Sequence, residues 1–314
     1  MLESASLPYV SAADVERLLP YGDTVDELRA AFGETRAETP GRVRLEVPGG
    51  ELLLMPAFGR EGIGVKLVTV HAHDPRPPRP RVQGVYVLFS PDGLAPELVV
   101  DGAALTERRT AAVSALATQC LARETAWRLV VFGAGRQARA HIDAMCAVRP
   151  VRSVAIVGRS PDPARRLADE LGDRGLPAEV ASAEVVAGAD IVCTCTPSTL
   201  PLFDDRWLTP GVHINAIGAY REDMRELPAA TLTRALLTVE DRGAALVEAG
   251  DIIQAIAEQA IGPDHIAGDL AELARGDVAR SSPQQVTLFK SVGIADEDLV
   301  LVRMIGRRLA EQGR

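Results

Sequence analysis

The chain has 314 residues, 47% of them hydrophobic and 25% charged, with a formal net charge of −9 and an isoelectric point near 5.2. That length suits two domains with a core each, and the acidic balance argues against nucleic acid or an anionic membrane surface as a partner. No run approaches the roughly 18 apolar residues of a membrane span, the start Met1-Leu-Glu-Ser4 lacks the features of a signal peptide, and the four cysteines (Cys120, Cys146, Cys193, Cys195) stand in apolar context. The expectation is a reduced, cytoplasmic protein.

Ser11-Ala-Ala-Asp14 is a capping-box variant that predicts a short helix with Val15, Leu18 and Leu19 on one face. Asp23 or Thr24 opens a second helix with Val25, Leu28 and Phe32 on its apolar side. From Thr39 the hydrophobic period becomes 2. Residues 42–47, a turn at 48–50 and residues 51–55 predict a hairpin; residues 63–70, 82–89 and 97–100 predict three further strands, with a turn at 90–93. His71 and His73 alternate onto one face beside Asp74, but no third ligand stands at metal spacing, so this is a strand end. The proline-rich stretch 75–80 is long enough for an active-site rim. This half is a mostly antiparallel sheet with helices at its ends.

Of the 34 basic residues only Lys66 and Lys290 are lysine. Where arginine supplies nearly every cation, a lysine inside an apolar strand invites a chemical reason. A desolvated lysine titrates near neutrality, whereas arginine keeps its proton. Lys66 fits that description; chance placement is the competing explanation, and more so for Lys290. Residues 101–113 open the long helix joining the two halves, with Thr106 as N-cap and Glu107 in the first turn. Arg108 and Arg109 oppose the helix dipole there. An arginine accepted at such a place can hold an anion such as a substrate carboxylate, the alternative being a salt bridge to a nearby acid.

In the second half, residues 129–132 run as a strand into Gly133-Ala134-Gly135-Arg136-Gln137-Ala138, after which a helical pattern follows. Strand, glycine turn and helix make the setting of a dinucleotide fingerprint. Gly133 permits the tight turn, Gly135 lets the backbone approach a pyrophosphate, and Ala138 lets helix and strand pack closely. The N–H groups of the loop and helix start then face the phosphates. Residues 154–157 form the next strand and 164–171 its helix; strands at 190–195, 212–217 and 235–239 lead into Thr196-Pro197, Gly218 and Glu240. Short apolar strands alternating with helices predict an α/β fold with a doubly wound parallel sheet, with Thr196, Pro197 and Gly218 as further cofactor contacts. A doubly wound domain without a nucleotide is the alternative. Cys193 and Cys195 share a face of a buried strand, which is core and not metal chemistry. His141, His213 and His265 stand alone as packed or solvated residues. The strand at 154–157 ends in Gly158-Arg159-Ser160, not in the acid that binds the ribose of NAD. Arg159 and Ser160 suit a 2′-phosphate, so NADPH is the expected cofactor and NADH a possible one.

Met55-Pro-Ala57, Lys66-Leu-Val-Thr69, Asp101-Gly102, residues 105–115, Phe132-Gly-Ala-Gly135, His213-Ile-Asn-Ala-Ile-Gly218, Arg225-Glu-Leu227 and Phe289-Lys-Ser-Val-Gly293 occur in one order. Together they resemble the ornithine cyclodeaminase/mu-crystallin family over nearly the whole chain. The resemblance implies a substrate-binding and dimerisation domain over 1–117 with 294–314, a Rossmann domain over 118–293, and a homodimer built through the N-terminal sheet. It also implies a site between the domains for nicotinamide and a small amino or imino acid. By position, Arg42 and Arg109 match the family's carboxylate-binding arginines and Lys66 its active-site lysine, with Met55 and Tyr220 as further substrate contacts. The cyclodeaminase branch has an acid two positions before the Met-Pro pair and an aspartate where Tyr220 stands; here the first position is Leu53. The expectation is therefore an NADPH-dependent reductase of small, cyclic imino carboxylates. An amino-acid dehydrogenase or an ornithine/lysine cyclodeaminase-type enzyme is the alternative, and a non-catalytic, NADPH-dependent ligand-binding protein a second one.

Overall fold

The computed structural model describes residues 7–34, 39–59, 62–72 and 80–313. The chain divides into two compact units, residues 1–109 with 294–314 and residues 110–293.

The first unit begins with β1 (Tyr9–Val10), α1 (Ala12–Leu18) and α2 (Tyr21–Gly33). Ser11 caps α1 by accepting from the Asp14 N–H at 3.3 Å, as the capping pattern predicts. Helix α2 starts before Asp23, directly behind Pro20. Proline closes off α1 and pre-sets the entry to the next helix, and Thr24 donates its hydroxyl to the Pro20 carbonyl instead of capping. Four antiparallel strands follow, β2 (Val43–Val47), β3 (Gly50–Gly59), β4 (Gly62–His71) and β5 (Val82–Phe89), then β6 (Pro96–Asp101). The described strands pair in the order β1-β6-β5-β4-β3-β2, with only β1 and β6 parallel. Strand β3 runs past the expected end at residue 55 and carries Pro56 beyond the last residue paired with β2, where a missing N–H is tolerated. His71 closes β4; His73, Asp74 and residues 75–79 of the expected rim lie outside the described residues.

Period-2 alternation gives this sheet two faces. Leu53, Met55, Ala57, Val68, Tyr86, Leu88 and Val100 are buried, on the face where the last helix, α10 (Ala295–Gln312), packs on β3, β4 and β5 with α2 against it. The opposite face is also apolar. Val43 is 48% exposed, Leu45 47% and Phe58 46%, and their cross-strand partners are Leu54, Leu52 and Ile63.

Helix α3 spans Gly102–Leu121 and crosses the division between the units. It starts a full turn earlier than predicted. Asp101 accepts from the Ala104 N–H at 2.8 Å, which is the capping contact, while Thr106 donates its hydroxyl back to the Gly102 carbonyl within the helix. Thr106 is therefore not the N-cap, and Arg108 and Arg109 sit past the region where the helix dipole is felt.

The second unit contains β7 (Arg128–Phe132), α4 (Arg136–Val148), β8 (Ser153–Val157), α5 (Pro161–Asp173), β9 (Ala178–Val180), β10 (Ile191–Thr194) and β11 (His213–Ala216). It continues through α6 (Ala229–Arg234), β12 (Leu236–Val239), α7 (Arg242–Glu248), α8 (Gly250–Ala257), α9 (Leu270–Arg275) and β13 (Thr287–Lys290). All pairings are parallel, in the order β12-β13-β11-β10-β7-β8-β9. The chain thus winds from β7 outward through β8 and β9, then returns to the other side of β7 through β10 and β11. This is the doubly wound arrangement predicted from the alternating pattern. Strand β13 inserts between β11 and β12, a position that local pattern does not reveal. Val130, Val192, Ile214, Leu237 and Leu288 are fully buried along the sheet and form one cluster with residues of the flanking helices.

Candidate active site

In the first unit Lys66 lies on the covered face of β4, opposite Met55 on β3 and Tyr86 on β5. It is 1% exposed. Its Nζ lies 3.0 Å from Oδ1 and 2.8 Å from Oδ2 of Asp298, itself fully buried in the first turn of α10. Arg109, buried on α3, donates from Nη1 to Glu297 Oε2 at 2.8 Å and brings Nε within 3.6 Å of Asp298. Burial pushes the Lys66 amine down from the usual lysine range to about 8; Arg109 and then Arg42 add to the fall, while the Asp298 charge and hydrogen bond oppose it. The first unit therefore gathers Lys66, Arg109, Met55 and Arg42. Arg42, just before β2, is half-buried. The salt-bridge alternative for Arg109 is real: Glu297 holds one edge of its guanidinium. Asp298 stands beside another edge, and a guanidinium presents five N–H donors in all.

Tyr220 belongs to the second unit, half-buried and packed against that unit's apolar cluster. There the glycine loop has the shape a dinucleotide needs. Gly133 has φ +108°, and a Cβ on it would lie 2.8 Å from the Cys195 carbonyl oxygen, so no other residue fits without a shift. Its N–H donates to the Val157 carbonyl at 2.8 Å, tying the loop to β8. Gly135, at the N-cap of α4, has open space where a side chain would stand, and no side chain caps the helix. The first turn of α4, Arg136, Gln137 and Ala138, thus forms the positive end of the helix dipole, where an anion is favoured. Ala138 is buried against the strand. Arg159 and Ser160 are both exposed just past the end of β8, where no carboxylate stands; Ser160 precedes α5 without using its hydroxyl as a cap. Ala134 and Thr196 are half-buried and Pro197 exposed, at the same carboxyl edge of the sheet. These residues fit a dinucleotide phosphate group.

Several buried charged residues escape a reading of the sequence. Glu297 and Asp298 look like the ordinary acidic first turn of a helix, and only their contact with residues far up the chain shows their part in the Lys66 cluster. Glu226 and Asp251 are fully buried in the second unit, and Lys290 lies 3.1 Å from Asp251. The Arg225-Glu-Leu227 motif is the one signal in the sequence for Glu226. Three of the histidines have structural partners. His141 bonds the Gln137 carbonyl and the Ser114 hydroxyl, and burial pushes it down to about 4. His213 bonds Thr287 and is pushed down to about 3, again chiefly by burial. His265 bonds the Leu232 carbonyl.

The family model of the ornithine cyclodeaminase/mu-crystallin family matches residues 9–313. A Delta(1)-pyrroline-2-carboxylate reductase of Bacillus cereus is 34% identical over 97% of this chain and 97% of its own. The ketimine reductase mu-crystallin of Mus musculus is 35% identical over 82% of this chain and 80% of its own. Among solved structures, the Delta(1)-pyrroline-2-carboxylate reductase of Thermococcus litoralis, in complex with NADH and L-proline, superposes with a TM-score of 0.93 at 30% identity, covering 98% of both chains.

Proposed function

Because the chain belongs to the ornithine cyclodeaminase/mu-crystallin family, we propose that it is an NADPH-dependent reductase of small cyclic imino carboxylates, such as a pyrroline-2-carboxylate. The observation that carries this is the buried lysine on β4, with its Nζ 2.8 Å from Asp298 and Arg109 close by. A carboxylate substrate binds to Arg42 and Arg109, which fixes the position of its C=N bond. Lys66 is protonated below a pH of about 8, so near neutrality its ammonium donates to the imine nitrogen and supplies the proton the product amine keeps. Asp298 holds the ammonium in place and receives no proton in this step. The nicotinamide, when bound, supplies the hydride that reduces the imine carbon. One proton and one hydride balance the conversion of C=N to CH–NH. The anionic substrate also offsets the repulsion of Lys66 by the two arginines, which raises the lysine's pKa in the complex and keeps the acid form in hand.

Two features favour imine reduction over cyclodeamination. Leu53, buried on the same sheet face as Met55, and Tyr220 stand where carboxylates would be needed to bind and deprotonate a side-chain amine. A non-catalytic ligand carrier has no use for a buried, titratable lysine. The cofactor preference for NADPH rests on Arg159 and Ser160 at the end of β8. The test is a panel of imino carboxylates differing in ring size, assayed for NADPH and NADH oxidation. Turnover of a cyclic imino carboxylate is expected, and absence of turnover across the panel would refute the assignment.

A further inference from the structure

We propose that Glu226 is a positioning residue for the nicotinamide half of the cofactor, locking together the two loops that leave β10 and β11. This rests on the cofactor assignment above. Glu226 lies between β11 and α6, fully buried, and four donors converge on its carboxylate. Oε1 accepts from the Thr196 N–H and the Thr196 hydroxyl, both at 2.7 Å. Oε2 accepts from the Thr194 hydroxyl at 2.8 Å and the Gly218 N–H at 2.7 Å. A single side chain therefore sets the spacing between the loop after β10 and the loop after β11. Gly218 has to be glycine for this, since a Cβ there would overlap the Thr196 carbonyl and lie 2.6 Å from Glu226 Oε1.

The carboxylate is itself anchored. The Glu226 and Leu227 N–H groups donate to Asp251 Oδ1 at 2.7 and 2.9 Å. Asp251 Oδ2 faces Lys290 Nζ, at the end of β13, across 3.1 Å. The anchor thus runs from β13 through α8 to the carboxyl ends of β10 and β11, by side chains that are almost fully buried. A buried charge array of this kind is costly to desolvate, and apolar residues of similar volume serve packing as well or better. What apolar residues cannot do is accept N–H groups from two loops at once.

In a doubly wound sheet each mononucleotide half lies over one half of the strand order. Here β7, β8 and β9 carry the glycine loop and Arg159, the adenosine side, whereas β10 and β11 carry Thr196, Pro197 and Gly218. The four hydrogen bonds to the Glu226 carboxylate all come from Thr194, Thr196 and Gly218, on the second side. A glutamine keeps the shape but has one accepting atom; its NH2 group would face an N–H donor, so one loop must move.

The experiment compares wild type with Glu226→Gln by calorimetric titration of NADPH and of adenosine 2′,5′-bisphosphate, which carries only the adenosine side. For a protein that takes NADH more tightly, NADH and AMP replace them. The variant is expected to bind the whole dinucleotide at least tenfold more weakly, with binding of the adenosine fragment changed less than twofold. Equal weakening of both ligands, the mark of general loosening, would overturn the proposal, as would unchanged binding of the dinucleotide. If Glu226→Gln does not fold, Thr194→Val, which removes one donor to Oε2 and preserves shape, is put to the same comparison, with a smaller split expected and no split overturning the proposal. A wild-type protein that binds neither dinucleotide would instead refute the cofactor assignment itself.

Discussion

Replacing Asp298 by asparagine isolates the part of the cluster that sets the protonation of Lys66. In the native protein burial, Arg109 and Arg42 drive the amine down to about 8 against the upward pull of Asp298. The carboxylate stands 2.8 to 3.0 Å from Nζ, where a charge pair is worth several kcal/mol even at an effective dielectric of about 20. Removing one member of a buried pair typically costs about 3–5 kcal/mol. An asparagine retains a hydrogen bond, so the lower end applies, and at about 1.4 kcal/mol per pH unit the Lys66 pKa falls by about two, to about 6. With Lys66 as the proposed acid, activity is expected below its pKa and is lost as pH rises through it. The alkaline limb of kcat/KM, which reports the free enzyme, is expected near 8 in the wild type and near 6 in Asp298→Asn. At pH 7.5 the protonated fraction drops from about three-quarters to about 3%, roughly a 25-fold loss of kcat/KM, most of it recovered at pH 5.5. In the wild type the limb of kcat should lie above that of kcat/KM, because the bound carboxylate raises the Lys66 pKa. A variant whose kcat/KM is reduced by one factor at every pH, with its limb still near 8, would refute the assignment of Lys66 as the acid tuned by Asp298.

Three further outcomes follow from the structure. Arg42→Leu is expected to raise KM for an imino carboxylate about tenfold or more, the worth of one charge-assisted hydrogen bond, with little effect on a cyclic imine lacking the carboxylate; equal effects on both in steady-state assays would make Arg42 structural. The apolar, exposed face of the first unit's sheet, with Val43, Leu45 and Phe58 nearly half exposed, is expected to be buried in a homodimer. Sedimentation should give twice the chain mass for the wild type and a monomer for Leu45→Glu, and a wild-type monomer at micromolar concentration would contradict this. Arg159→Asp is expected to shift kcat/KM from NADPH towards NADH, because it removes the cation and supplies the acid that binds ribose hydroxyls; parity of the two cofactors in the wild type would count against the NADPH assignment.

Much of this protein is legible in its amino-acid order, because the determining interactions are local. The glycine turn at 133–138 is specified by residues within one strand-to-helix connection, and alternating apolar runs identify the parallel sheet without knowledge of any partner strand. Composition narrows the search to two lysines, Lys66 and Lys290, both of which prove buried on strands beside an aspartate. What the order of residues leaves open is everything that depends on contact across the fold. Asp101, and not Thr106, caps α3, because a polar residue at a strand's last position serves the helix that follows it; both residues are good caps by type. Strand β13 enters the sheet between β11 and β12, a choice made by packing of the whole sheet and not by its own four residues. Asp298 meets Lys66 across 232 positions of chain, and Glu226 meets Thr196 across 30. A carboxylate in a helix's first turn, or after a strand, looks solvated from its neighbours in sequence. Only tertiary burial, which removes water and leaves a charge to find its partners within about 3 Å, decides that these acids govern a lysine's proton and the spacing of two loops.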